Sequence, residues 1–177
     1  MNRQDTGAAA PLWREPKAVA LLMAATLTTM ANATISPALP GLRGAFAADP
    51  DAEILTRLLV PAPALGVILA APLAGFAADR IGRRPLLLAG IALFALTGSA
   101  GLVLPDLHTI LASRLALGVA VALIMTTQTA LVGDHFSGQR RQALSGLQIA
   151  ARNFGGLIFI LLAGMLAVWS PRLPFGI

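Results

Sequence analysis

The residues best suited to chemistry in this sequence lie in a charged turn between two long apolar runs. This charged turn, residues 75–84, follows the pattern Gly-x-x-x-Asp-Arg-x-Gly-Arg-Arg. Gly75 would let a neighbouring helix approach closely, and Gly82 would permit a tight turn. Asp79 could accept hydrogen bonds from helix-terminal N–H groups or pair with an arginine, while the basic residues hold the turn at the lipid headgroups. A generic basic loop would require neither the acid nor the glycines at these spacings.

The remaining sequence lacks the side-chain sets that enzymes and metal sites use. It contains no nucleophile–base pair, carboxylate pair or phosphate-binding loop. It has no cysteine, and its two histidines, His108 and His135, are far apart. We therefore expect no enzyme activity, no cofactor and no bound metal. The net charge of +5 comes from short Lys and Arg clusters without interleaved aromatic residues, so no nucleic-acid partner is expected either.

The elements that must position the charged turn are long apolar helices. The chain is 56% hydrophobic and 12% charged, against about a quarter charged in soluble domains. Crossing about 30 Å of hydrocarbon takes roughly 20 apolar residues in a helix. Backbone groups in lipid must be paired internally, so long non-alternating runs are predicted to be helices. Five such runs occur, at roughly 18–40, 55–78, 85–105, 109–132 and 143–168.

The predicted fold class is an all-α membrane protein, a helical bundle of about five transmembrane helices. It would consist of a cytoplasmic amino-terminal segment, 1–17, and a transmembrane bundle, 18–177. The tail 169–177 is predicted to form a short turn and the start of a sixth apolar run. Lys and Arg cluster before the first run, between the second and third, and between the fourth and fifth. Basic residues are retained on the cytoplasmic side, so the amino terminus is predicted to be cytoplasmic.

The second run carries small residues at every fourth position. Such a stripe lies on one helix face and lets another helix approach in lipid, although general alanine richness would also produce it. The stripe consists of Ala62, Gly66, Ala70, Ala74 and Ala78.

The charged turn resembles the signature loop of the major facilitator superfamily, with matching spacing from Gly75 through Arg84 and one departure at Ala77. The resemblance implies a multi-pass cell-membrane protein, in the inner membrane if bacterial. It also implies a latch between this turn and cytoplasmic helix ends of the other half of the protein, which opens and closes during alternating access. The implied latch residues are Gly75, Asp79, Arg80, Gly82, Arg83 and Arg84. Glycines in the fifth run are similar to the glycine-rich helix of the family's antiporter branch, but the Gly-Pro pair of that helix is missing.

Arg114 and Gly118 in the fourth run resemble the arginine that this family follows four residues later with a glycine. Arginine inside a span costs about 2.5 to 3.5 kcal/mol at mid-membrane, so it usually faces a cavity or a partner. Arg114 lies near the outer end of its run. Its side chain could therefore also extend to the outer headgroups.

A substrate site would lie near the bilayer midplane, where polar side chains from different helices converge. Gln148 and Arg152 are four residues apart and share a helix face, where an anionic substrate or a carboxylate could bind. Arg152 could instead bond another helix or extend to the cytoplasmic surface, and threonine hydroxyls often bond their own helix. The candidates are Asn32, Thr34, Gln128, Gln148, Arg152 and Asn153.

By resemblance, the complete protein is a secondary transporter of small solutes in the lipid bilayer, with export favoured. No acid lies within the predicted runs, so protons are a candidate coupling ion only through residues elsewhere. The carboxyl-terminal helices of such a protein are not among these residues, and we expect the chain to be truncated and not to transport alone. The alternative is a small membrane scaffold or assembly protein that does not transport.

Overall fold

The computed structural model describes residues 11–47, 50–170 and 172–176. These residues form seven α-helices and three short 3-10 turns, and they contain no strand. The α-helices are α1 (Pro16–Ala33), α2 (Ile35–Ala45), α3 (Ala52–Leu58), α4 (Ala62–Ile81), α5 (Arg83–Ser99), α6 (Leu107–His135) and α7 (Gly138–Trp169). The 3-10 turns are Leu12–Arg14, Ala100–Leu102 and Leu173–Gly176. The predicted all-α fold class is confirmed.

Five helical segments are long and apolar enough to cross a membrane: Pro16–Ala45, Ala62–Ile81, Arg83–Leu102, Leu107–His135 and Gly138–Trp169. The first segment joins α1 and α2 with a break at Thr34. Pro37 causes this break because its nitrogen cannot donate to the carbonyl of Ala33 four residues earlier. The predicted number of spans is confirmed, and the chain is a multi-pass membrane protein.

The predicted start of the second span is wrong. Residues 52–58 form the separate helix α3, and α4 begins only at Ala62. Pro61 caps α4 and Pro63 lies in its first turn, where a missing N–H costs no helical hydrogen bond. Hydropathy misses this boundary because apolar residues continue through the turn between α3 and α4. The fourth and fifth spans are also longer than predicted, since their terminal turns are polar.

Helix α6 lies at the centre of the bundle. It packs against α1, α4 and α5, while α7 packs mainly against α1 and α2. All five residues of the small-residue stripe on α4 are buried. A Cβ added to Gly66 would overlap the carbonyl oxygen of Leu115 in α6, so the two backbones are in contact there. The stripe is therefore confirmed as a helix–helix face.

The bundle has two distinct ends. At the Gly82 end, α4 meets α5 and α6 meets α7. At the Asp106 end, α3 and Phe175 pack beside the first turn of α6. Asp106 caps α6 there by accepting a hydrogen bond from the Thr109 backbone N–H at 2.8 Å, which lowers the pKa of Asp106 below its ordinary value. This cap stabilises α6 above the ordinary aspartate pKa and is lost as the pH falls through the lowered value.

Candidate functional site

The charged turn is built around one glycine with a left-handed backbone. Gly82 has φ 94° and is the single residue between α4 and α5. A side chain is strained in that region, whereas glycine is not. Gly75, the other glycine of the charged turn, does not lie at a helix–helix contact among the described residues. A Cβ added to Gly75 would meet no atom within 4 Å among the described residues, so the predicted close helix approach at Gly75 is not formed among them. That approach occurs instead at Gly66.

Asp79 is exposed near the end of α4. It makes no hydrogen bond or ion pair with any residue that the structure describes, so the expected pairing with an arginine or a helix terminus is not formed there. Arg80 is also exposed, and its guanidinium lies 4.4 Å from the centre of the Phe76 ring. Both charges are therefore available to groups outside the described chain.

Asp134 is the acid that pairs with an arginine of the charged turn. Its carboxylate forms an ion pair with Arg83, which ties the start of α5 to the last turn of α6. Asp134 is not among the predicted site residues, because the predicted fourth span ends at residue 132 and leaves this acid outside the bundle. The available signal was an acid following a long apolar run at the same end as the arginine cluster. Asp79, Arg84 and His135 line the same open depression.

The intramembrane arginine Arg114 is buried in protein. It is 1% exposed, which excludes extension of its side chain to the headgroups. Its guanidinium donates to the Ala31 carbonyl of α1 at 3.3 Å and lies 4.4 Å from the centre of the Phe175 ring. A hydrogen bond and a cation–π contact partly offset the cost of burying the charge. Arg114 thereby connects α6 to α1 and to the Leu173–Gly176 turn.

Gly118, four residues after Arg114, is the closest point between α6 and α4. A Cβ added there would overlap the carbonyl oxygen of Pro63 and lie 2.8 Å from the Cα of Gly66. Both atoms belong to backbone and cannot move aside as a flexible side chain would. Packing of α4 on α6 thus requires a glycine at position 118. Arg114 contacts α1 and the Leu173–Gly176 turn, whereas Gly118 contacts α4.

Three of the polar candidates are bonded or exposed. The hydroxyl of Thr34 donates to its own helix at the Met30 carbonyl, which is the alternative expected for threonines. The Gln128 side chain is 1% exposed and donates to the Leu21 carbonyl at 2.9 Å, so it joins α6 to α1. Asn153 is exposed and does not line a described cavity with Arg152.

Asn32 and Arg152 line one cavity of about 500 Å³ between α1, α4, α6 and α7. Val121 and Met125 place this cavity near the middle of α6. Arg152 is the only charged residue among the described residues of the lining, and its Nε is buried without a hydrogen-bond partner. Gln148 shows the same deficiency at Nε2 on the preceding turn of α7. Arg152 thus brings an unsatisfied hydrogen-bond donor to this cavity for an anionic or carbonyl-bearing group, whereas Gln148 is not among the residues that line it.

The family comparison agrees with this geometry. The model of the Major Facilitator Superfamily matches residues 21–177. A triacylglyceride transporter of Mycobacteroides abscessus is 35% identical over 105 residues, which cover 59% of this chain and 20% of that protein. The quinolone resistance protein NorA of Staphylococcus aureus is 27% identical over 118 residues, which cover 67% of this chain and 30% of NorA.

The matches thus cover less than a third of the length of either relative. The region that the family model spans includes the charged turn, the Arg114–Gly118 pair and the residues that line the mid-bundle cavity. The match extends over most of the chain, and the chain belongs to the major facilitator superfamily.

Proposed function

We propose that this chain forms amino-terminal helices of a secondary active transporter that exports small organic solutes by alternating access. Family membership supports transport, and the names of relatives that confer quinolone resistance or transport triacylglyceride support export of organic molecules. The observation that carries the proposal is the mid-bundle cavity with the unpaired Arg152 Nε. This cavity suits an organic solute with an anionic or carbonyl group, since midplane sites between helices are where transporters bind substrate.

Transport would require further helices to close the cavity from the other side. The matched relatives are more than three times as long as their matched segments, which supports a second bundle in the same longer protein. Rocking of the two bundles about the site would expose it to each side of the membrane in turn. The five-span bundle, 18–177, would be one rocking unit and the segment 1–17 would precede it on the cytoplasmic side.

The charged turn would act as the latch between the two bundles. Asp79 and Arg80 are exposed and Asp79 has no ion pair within the described chain, so both suit contacts with helix ends of the second bundle. Arg83 would have a different task, because its ion pair with Asp134 holds the turn on its own bundle. Gly82 would fix the direction in which the turn projects.

The Gly82 end would face the cytoplasm of the cell, or the inner side of the inner membrane in a bacterium. Most basic residues of the described chain lie at this end, and such residues are retained inside. They are Arg14, Lys17, Arg80, Arg83, Arg84, Arg140 and Arg141. The helical spans reach farther than hydropathy predicts and include Asp79 and Asp134 in their terminal turns. Neither acid lies near the midplane cavity, so proton coupling would use an acid of the second bundle.

The first experiment is to read the coding DNA beyond Ile177. An open frame that encodes a second helical bundle supports the transporter, whereas an immediate stop codon in the native gene favours the non-transporting scaffold. The second experiment uses that complete frame and measures efflux of an anionic fluorescent dye from loaded cells.

For the latch, we expect Asp79→Asn to slow efflux roughly tenfold while membrane insertion and protein amount stay unchanged. The neutral amide cannot make the charge-assisted bond of a carboxylate. Asp51→Asn, at the opposite end, is the matched control. Normal efflux by Asp79→Asn would contradict the latch.

A further inference from the structure

A second cavity lies at the Gly82 end and shares no lining residue with the mid-bundle cavity. It is a groove of about 310 Å³ between α1, α5 and α6. Its wall is apolar, and the residues that form it are Ala20, Leu21, Leu87, Leu88 and Leu131. Leu88 is 67% exposed at the rim, so the groove opens toward the surroundings of the bundle. In a membrane protein this opening faces lipid, which suits an acyl chain.

Basic groups surround the mouth of this groove. Lys17, Arg84 and His135 line it, and no carboxylate is among the described lining residues. Lys17 and Arg84 make no hydrogen bond or ion pair within the described part of the chain. The histidine is oriented by its own helix, since its Nδ1 donates to the Leu131 carbonyl at 3.1 Å.

Two of the nearby acids are engaged with other cations, while Asp79 lies in the neighbouring depression and is not among the residues that line this groove. Glu15 accepts from Arg140 of α7 at 2.8 Å, and Asp134 pairs with Arg83. The carboxylates of Glu15 and Asp134 are thus paired with arginines that do not line the groove, and the groove mouth stays positively charged. A positive mouth above an apolar groove is complementary to a lipid that has an anionic headgroup and acyl chains.

We propose that this groove, the basic groove, binds one anionic phospholipid of the surrounding leaflet. The phosphodiester would lie between Lys17 and Arg84, with His135 beside it, and an acyl chain would lie along Leu87 and Leu88. The Lys17 ammonium suits a phosphate as a compact point charge, and the planar Arg84 guanidinium can donate two parallel hydrogen bonds to it. Burial of the acyl chain against the apolar wall adds to the binding. This site is separate from the mid-bundle cavity, and the proposal does not depend on transport or on which side the Gly82 end faces.

The test measures lipid binding to the purified full chain in detergent by native mass spectrometry. Phosphatidylglycerol, phosphatidylethanolamine and phosphatidylcholine with identical acyl chains are the probes. We expect one phosphatidylglycerol to bind at least tenfold more tightly than phosphatidylcholine. Glycerol phosphate, which has the headgroup charge but no acyl chain, should not displace the bound lipid. Equal binding of the three lipids, or full displacement by glycerol phosphate at lipid-equivalent concentration, would overturn the proposal.

Two variants locate the binding in the groove. Lys17→Gln/Arg84→Gln should weaken phosphatidylglycerol binding roughly 30-fold, because each basic residue near an anionic surface contributes about a factor of five. Arg14→Gln/Arg141→Gln removes two exposed charges at the same end outside the groove and should bind as the unmodified chain does. Equal losses in both variants would overturn the assignment to this groove.

A third variant tests the apolar wall without changing charge. Leu88→Trp adds bulk at the exposed rim and should reduce binding by filling the groove, while the helix content and melting temperature stay unchanged. This measurement remains decisive if the double charge variant does not fold. Unchanged phosphatidylglycerol binding by a folded Leu88→Trp would show that the acyl chain does not lie in the groove.

Discussion

Arg152 has an unusual set of neighbours for a charged residue within a span. Its Nε is buried without a partner, and the described lining around it is otherwise uncharged. A buried donor that loses water without gaining an acceptor is unfavourable, and a charged one more so. An anionic group in the cavity would satisfy this donor. The proposed preference for an anionic solute rests on this donor.

We expect Arg152→Ala, in the complete reading frame, to raise the half-saturating concentration for efflux of an anionic fluorescent dye at least tenfold. A charge-assisted hydrogen bond contributes about 1.5–3 kcal/mol, which corresponds to roughly 10- to 150-fold in affinity. The matched control is Arg57→Ala, because Arg57 is exposed and pairs only with Glu53 of its own helix in the described chain. Equal half-saturating concentrations for the two variants would remove Arg152 from the site.

Sequence spacing could identify some of these residues but not their partners. Gln148 and Arg152 share a face because of helical geometry, and both have unpaired buried atoms. Gln128 has an equally suitable side chain, yet it donates to the Leu21 carbonyl, which lies on a helix far away in sequence. Asn32 joins Arg152 only through tertiary packing. Which donors remain available to a ligand is decided by these contacts, and no periodicity encodes them.

Packing of α4 on α6 is the element-scale feature that the sequence predicts best. Small residues at i, i+4 intervals form a stripe regardless of the neighbour, so the face could be derived before the partner was known. The break between α3 and α4 could not be predicted in this way, because the residues at the break are as apolar as the helices beside it. Gly66 and Gly118 meet where the two backbones touch. A side chain at either position would therefore overlap the backbone of the other helix.

We expect Gly118→Ala to destabilise the bundle, because the new Cβ would overlap the Pro63 carbonyl oxygen and force α4 from α6. Overpacking of this kind costs about 1–3 kcal/mol. Gly133→Ala on the same helix is the control, since its Cβ would meet nothing within 4 Å in the described chain. It should be neutral or stabilising, because alanine favours helix. Thermal unfolding of both purified variants in one detergent measures the difference, and a similar melting temperature for the two would contradict the proposed contact.

At the scale of the whole molecule, the two ends of the bundle differ in charge. The Gly82 end carries the charged turn, the basic groove and most arginines, while the Asp106 end of the described chain carries Asp51, Glu53 and Asp106 together with three arginines. Because basic residues resist translocation, the Gly82 end should remain inside the cell. Both the latch and the lipid site would then lie at the inner leaflet.

We expect single cysteines at the two ends to react differently with a membrane-impermeant maleimide on intact cells. The sequence contains no cysteine, so each introduced thiol is the only target in the chain. His108→Cys, at the exposed Asp106 end, should be labelled, while Ser137→Cys, in the exposed α6–α7 connection, should be labelled only after permeabilisation. The reverse pattern would place the charged turn outside the cell, where it could not meet cytoplasmic helix ends, and would contradict the latch at the same time.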